Sequence, residues 1–220
     1  MIRFKKKNNK IILIYFSDLI RKIFKGDRIK RIYKTVENIS RKIAKQNKKK
    51  ISILDFGCGS MEISKKLKDK KYINKIIGTD IFNYKYEDQN IKYVQQNKFF
   101  KSKNKKFDLI ISVDVLHHIG IDKSHKILNK LSNYSKYILI KDHFEFGFLS
   151  RHLLRFVDFY ANYAYGVKIP KKYFNKLSWK NMLKKTNLKE IYKIENFQQH
   201  DGLFNLILNK KHHFISLLKK

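Results

Sequence analysis

The chain of 220 residues has one cysteine, Cys58, and one proline, Pro170. A lone thiol excludes an intramolecular disulfide framework. No Cys/His grouping has zinc-site spacing, so no metal is expected. Acids are scarce, with Asp+Glu 18 against Lys+Arg 51, for a formal net charge of +33. Such a charge suits nucleic acid or an anionic membrane. Arginine is scarce too: Arg3, Arg21, Arg28, Arg31, Arg41, Arg151 and Arg155 leave nearly all the excess to lysine. Arginine is the side chain for planar recognition of phosphate and bases, so its scarcity weighs against nucleic acid. Heavy use of Ile, Asn, Tyr and Phe, with little Pro or Ala, matches A+T-rich codons. The lysine excess is then first of all a solvated, compositional surface. Long apolar runs are missing as well. Ile11 to Phe16 is broken by Ser17 and Asp18, too short to span a bilayer and without a signal cleavage site. A cytoplasmic protein is expected, with peripheral contact to an anionic membrane as an alternative.

What is present is organised around Ile51-Ser-Ile-Leu-Asp55-Phe-Gly57-Cys58-Gly59-Ser60, a buried strand running into an acid and a glycine turn. Upstream, apolar steps of three and four predict two amphipathic helices. One runs over Ile11–Phe24, with Ile12, Tyr15 or Phe16, Leu19, Ile20 and Ile23 near one face. The other covers about Arg28–Lys45, and Gly26-Asp27 breaks the pair. They either pack on the domain or form a basic cap that touches a membrane or roofs the site. Downstream, a crossover helix is expected over Met61–Lys70. Strands follow over Lys75–Asp80, Ile91–Val94, Phe107–Val113 and Tyr137–Ile140, with a helix over Asp122–Tyr134 capped by Asp122. A long aromatic helix over Gly147–Tyr165 is ended by Gly166 and Pro170, and another starts at Ser178-Trp179. Two closing strands, about Lys189–Asn196 and Leu203–Asn209, are joined by a turn at His200-Asp-Gly202. The alternation predicts an α/β fold with a mostly parallel sheet in a single domain. Its parts are a basic helical cap (1–47), a core (48–145), a helical insertion (146–186), and closing strands with a basic tail (187–220).

Two acids end neighbouring strands, Asp55 and Asp80, and glycines follow the first. A carboxylate at the second strand tip can take both hydroxyls of a ribose. No G-x-G-x-x-G is completed and no G-K-[ST] follows, which excludes a P-loop. Taken in order, Ile-Leu-Asp55-Phe-Gly57-Cys-Gly59, Ile-Gly-Thr-Asp80 and Phe-Asp108-Leu-Ile-Ile-Ser-Val-Asp114-Val-Leu-His117-His118-Ile resemble class I S-adenosylmethionine-dependent methyltransferases. The last run is similar to the small-molecule branch that includes ubiquinone and menaquinone methyltransferases. The likeness covers residues 50–145 by motif and the rest by architecture. It implies a Rossmann-like seven-stranded, mostly parallel sheet with an antiparallel last strand, helices on both faces and an N-terminal helical cap. It implies S-adenosyl-L-methionine as cofactor, with Asp55, Gly57, Cys58 and Gly59 around its methionine part and Asp80 with Ile81 at the ribose. Asp114, Val115 and Leu116 would lie on the sulfonium side. The chain departs from the family at Met61, where a third glycine is common, and at Val94-Gln-Gln-Asn97, where an acid often meets the adenine amine. Asn97 retains an accepting carbonyl.

A sulfonium methyl is already activated, so transfer needs positioning, and a base only where the acceptor must lose a proton. His143, Asp142 and His117 are the candidate catalytic residues. The family likeness makes the 146–186 insertion an acceptor wall, and His118, Asp158, Asn162 and Tyr165 are candidate acceptor contacts. Asp158 and Asn162 share a helical face. Each of these also has a plain structural reading as packing, a turn or a buried pair. The leading function is methyl transfer to a small, aromatic or lipidic acceptor. The alternatives are an RNA or protein methyltransferase gathering an anionic substrate with its lysines, and a non-catalytic basic membrane- or nucleic-acid-binding module. No Asn-Pro-Pro-Tyr-type motif follows the fourth strand, which disfavours RNA base methylation.

Overall fold

The computed structural model describes residues 2–83, 86–102, 106–162 and 165–220. It opens on one helix, α1 (Ile2–Asn47), of 46 residues. The expected break at Gly26-Asp27 is absent, because an interior glycine costs only about 1 kcal/mol in a helix. The second half more than offsets that: Ile32, Val36, Ile39 and Ile43 are all buried on one stripe against the sheet. The side chains of Ile12, Phe16, Leu19, Ile20 and Ile23 lie outside the described residues, and Tyr15 is exposed.

After α1 come β1 (Ile51–Phe56), α2 (Glu62–Leu67), β2 (Ile73–Thr79), β3 (Glu87–Asp88), β4 (Ile91–Tyr93), α3 (Gln96–Lys101), β5 (Leu109–Val113), α4 (Leu116–Ile119) and α5 (Ile121–Leu131). The chain closes with β6 (Tyr137–His143), α6 (Phe148–Asn162), α7 (Lys176–Leu183), β7 (Lys189–Ile194), α8 (Gly202–Ile207) and β8 (His213–Lys219). The strands form an eight-stranded sheet in the order β3-β4-β2-β1-β5-β6-β8-β7. β4, β2, β1, β5 and β6 are parallel, and β8 runs antiparallel to both of its neighbours. The two-residue β3 is the one strand beyond the expected seven.

Side chains alternate across the sheet. Ile53, Ile76, Leu109, Ile111 and Leu139 face α1 and α2, while Leu54, Phe56, Ile110, Ile138 and Ile140 face α3, α5 and α7. Helices therefore cover both faces, as a parallel sheet requires.

Four expectations are corrected. Leu203–Asn209 is helical at Gly202–Ile207, and the last strand is instead His213–Lys219, within the residues read as a basic tail. A short apolar run has no period that separates strand from helix. The strand partner is decided by burial, and β8 is buried along nearly its whole length between β6 and β7. Asp122 is not the α5 cap: Gly120 holds that position, and Asp122 lies in the first turn, where its charge still suits the helix dipole. β6 continues to His143, so Lys141, Asp142 and His143 are inside a strand rather than after it. α7 begins at Lys176, where Asn175 and Ser178 form a capping box.

Candidate active site

The carboxyl ends of β1, β2, β5 and β6 meet at one edge of the sheet. On the β1/β2 side, the turn Gly57–Ser60 is drawn onto β2 by Gly57 N–H and Cys58 N–H, which donate to the Thr79 carbonyl at 2.7 and 3.1 Å. Gly59 N–H donates to Asp80 Oδ2 at 2.9 Å, and Phe82 N–H reaches Asp80 Oδ1 at 3.2 Å. The two strand tips thus share one hydrogen-bonded loop. Gly57 has φ 73°, and a Cβ there would sit 2.3 Å from Val115 Cγ2, so only glycine fits. At Gly59 a Cβ would meet nothing within 4 Å, so the turn backbone faces open space. Met61 has a left-handed backbone at φ 59°. Its side chain turns inward over β2, where a Cβ on Gly78 would lie 2.3 Å from Met61 Cε and 2.9 Å from Cys58 Sγ. Gly78 is what makes room for Met61.

Asp55 is buried and accepts from Ser64 Oγ at 2.5 Å. Burial pushes its carboxyl up to about 7, with the nearby Asp80 charge adding and Ser64 opposing. Burial, with the Asp55 and Asp80 charges, pushes the Cys58 thiol up as well, which disfavours the thiolate. Ile81 is 65% exposed beside Asp80. Asn97 is exposed on α3, whose start is tied to the β2 tip by Gln96 N–H donating to the Asp80 carbonyl at 2.9 Å.

The β5/β6 side is a cluster of charge and imidazole. Asp114, just past β5, has φ 56°. Its carboxylate takes Lys141 Nζ at 2.6 Å and Arg28 of α1, and His143 Nδ1 lies 3.4 Å away. Burial disfavours charge on Asp114, but Lys141, His143 and Arg28 outweigh it and hold the carboxyl well below the usual range. Lys141 and His143 point to this side because they are two apart on a strand, and Asp142 points to the other. There Asp142 accepts from Leu116 N–H, His117 N–H and His143 N–H, and pairs with His117 Nδ1 at 2.6 Å. Asp142 thereby caps α4 and fixes the His117 ring. Burial opposes charge on His117, but Asp142 and Asp158 outweigh it and lift the imidazole to about 9. Burial and Lys141 push His143 down. Burial, with the neighbouring His117, pushes His118 down to about 4.

α6 supplies Asp158, which accepts from the buried Tyr173 hydroxyl and from Asn162 Nδ2 at 3.4 Å. His117 Nε2 lies 3.5 Å from Asp158 Oδ2. Of the expected acceptor residues, His118, Asp158 and Asn162 are brought together with His117. Tyr165 is half-buried just past α6, and Tyr163 and Ala164 of the same stretch lie outside the described residues. Val115 packs on Gly57, while Leu116 is fully buried in the core and engages Asp142 through its N–H. The sequence reading missed Arg28, Lys141, Tyr173 and Ser64. Lys141 carries one readable signal, a lysine inside an apolar strand next to Asp142. Arg28 is indistinguishable from its basic neighbours until α1 is placed.

A family model described as a methyltransferase domain matches residues 26–193. The chain belongs to this methyltransferase domain family. The match begins near Arg28, so the second half of α1 is part of the domain. A search of curated proteins finds no match. Among solved structures, a 1,6-didemethyltoxoflavin-N1-methyltransferase from Burkholderia thailandensis, with bound S-adenosylhomocysteine, is similar at TM-score 0.61 and 9% identity, over 99% of this chain and 89% of that one. The plantazolicin methyltransferase BpumL, in complex with a monoazolic desmethylPZN analogue and SAH, gives 0.59 and 13%, over 97% and 98%. The cyclopropane synthase MmaA2 from Mycobacterium tuberculosis gives 0.57 and 10%, over 78% and 79%. At such identities the likeness establishes the fold of the methyltransferase domain. No helix among the described residues is long and apolar enough to cross a membrane.

Proposed function

We propose that this methyltransferase transfers the methyl group of S-adenosylmethionine to a small acceptor held between the β5/β6 tips, α1 and α6. The observation that carries the reading is the β1/β2 cradle. Open backbone at Gly59 lies beside the Asp80 carboxylate and the uncovered apolar side chain of Ile81. A ribose needs the carboxylate, an adenine ring needs the apolar surface, and a methionine chain needs the bare turn. These residues fit the cofactor, which supplies an already activated methyl group.

The remaining work falls to this chain's own side chains. Asp80, Ile81 and the Gly57–Gly59 backbone orient the nucleoside, and Asp114 with Arg28 closes the far side under α1. Positioning and exclusion of water are the main requirements for such a transfer. His143 is half-buried, with its Nδ1 held 3.4 Å from Asp114 and 3.6 Å from Asp142. It is the group best placed to take a proton from a hydroxyl acceptor. A small acceptor is favoured over a polymer because α1 reaches over the strand tips through Arg28. The ubiquinone- and menaquinone-like branch names the acceptors to try first, namely hydroxylated aromatic rings.

The test is a methyl-transfer assay with labelled S-adenosylmethionine and a panel of hydroxylated aromatics. His143→Gln is expected to lower kcat by about 10²-fold or more, with KM for the cofactor unchanged. Unchanged turnover in that variant would remove His143 from the chemistry. Labelling of RNA alone, with affinity falling steeply as salt is added, would overturn the small-acceptor reading.

A further inference from the structure

We infer that His117, His118 and Asp158 form a binding site for one divalent transition-metal ion, at the junction of α4 and α6. One ligand atom from each of the three lies within 4.8 Å of the others. His117 Nε2 and Asp158 Oδ2 are 3.5 Å apart, a separation that adjacent ligands of one ion adopt at metal–ligand bonds of about 2.0–2.2 Å.

The outer nitrogens are already committed in the way metal-binding histidines require. His117 Nδ1 lies 2.6 Å from Asp142 Oδ1, and His118 Nδ1 lies 2.9 Å from the Lys168 carbonyl. A carbonyl can only accept, so it holds a hydrogen on His118 Nδ1, and the lone pair of the neutral ring is on Nε2. Asp142 likewise holds the hydrogen on His117 Nδ1, and the Nε2 proton that Asp142 and Asp158 favour is the one an ion displaces on binding. A carboxylate or carbonyl behind each imidazole fixes tautomer and orientation and raises the donor strength of the inner nitrogen. Asp158 has its own outer partners in the Tyr173 hydroxyl and Asn162 Nδ2.

The independent observation is at His117 Nε2, which faces Asp158 Oδ2 at 3.5 Å without a hydrogen bond. The side chain is 1% exposed, and this nitrogen has no hydrogen-bond partner. A buried polar atom left unsatisfied is costly, and an ion held between His117 and Asp158 would satisfy it. A second group, His117 with Asp142 and His143, converges similarly. There, however, Asp142 has no acceptor capacity left: Oδ1 takes His117 Nδ1 and His143 N–H, and Oδ2 takes Leu116 N–H and His117 N–H. Asp158 Oδ2 retains a lone pair. Two imidazoles and one carboxylate suit zinc, iron(II), cobalt or nickel rather than magnesium or calcium, and leave coordination positions open. The adjacent His117-His118 pair lacks the i, i+4 spacing of a helical metal motif, and Asp158 is distant in sequence, so no pattern announced the site.

The inference does not depend on methyl transfer, because it is read without cofactor or acceptor. The full chain is stripped with chelator, dialysed and titrated with Co²⁺, following visible absorbance, and with Zn²⁺ by calorimetry. One equivalent should bind, and Asp158→Asn and His118→Gln should each weaken binding by at least about tenfold. Circular dichroism checks that both variants fold. Absence of binding, or binding that both folded variants retain, would overturn the site and leave His117 and Asp158 as a simple ion pair.

Discussion

The two halves of the site are built differently. The β1/β2 half comes from a short contiguous turn and one further strand tip, and its key contacts are backbone N–H groups held by Thr79 and Asp80. The β5/β6 half gathers side chains from α1, β6, α4, α6 and the segment before α7: Arg28, Lys141, His117, Asp158 and Tyr173. The first half is shaped by glycines and a single carboxylate. The second is built from buried charge, so each group needs a compensating partner. Substitutions should therefore act on shape in one half and on charge balance in the other.

The largest expected contrast comes from pH. Burial lifts the Asp55 carboxyl to about 7, while Lys141, His143 and Arg28 hold Asp114 far below its usual range. For Asp55 the folded chain holds the extra proton between about pH 4 and 7, so stability falls as pH rises through that window. The full effect is on the order of 4 kcal/mol. Asp55→Asn should flatten the decline and raise the melting temperature at pH 8. An unchanged pH profile would place the titration elsewhere. For Asp114 the sign is opposite: its contribution is present above about pH 4 and lost as pH falls.

Lys141→Met comes next. It leaves Asp114 with Arg28 as its remaining close cation and should destabilise by about 3 kcal/mol in a denaturant titration. Adding Asp114→Asn should recover part of the loss, because the uncompensated charge is then gone. Failure to recover would mean that Lys141 acts through packing. On the shape side, Gly57→Ala sets a Cβ against Val115 at a positive φ and should lose about 2 kcal/mol. Val115→Ala in the same chain should restore some of it. Gly59→Ala meets only backbone strain, so it should cost less stability than Gly57→Ala while still hindering the cofactor.

The smallest expected effect concerns neither half. The family match starts at residue 26, after the first half of α1. Deleting residues 1–24 should leave folding intact and reduce sedimentation with anionic vesicles. Equal sedimentation with and without the segment would remove any role for it at a membrane.

The same contrast explains what could be read in the sequence. That Asp55, Gly57, Gly59 and Asp80 sit together at two strand tips was legible because a strand tip and its turn are local and leave a short residue pattern. The five inner strands were legible as short apolar-rich runs, and those of β1, β2 and β5 meet an acid at the tip. β8 was not, since Leu203–Asn209 and His213–Lys219 are both short apolar runs and only pairing with β6 and β7 separates them. Continuity through Gly26 was hidden for a related reason: burial of Ile32, Val36 and Ile39 overrides a local propensity. Arg28 and Tyr173 are partners of distant residues, and nothing local marks them. Asp142 was singled out as a catalytic candidate; the fold buries it behind His117 and at the start of α4, a placement no local pattern gives.

The most direct measurement is calorimetric titration of S-adenosylmethionine into the wild-type chain and into Asp80→Ala. Binding of one equivalent is expected, weakened by at least about tenfold in the variant, a loss of about 1.4 kcal/mol. Equal affinity in the two proteins, or no binding by either, would contradict a cradle made from the β1 turn and the tip of β2.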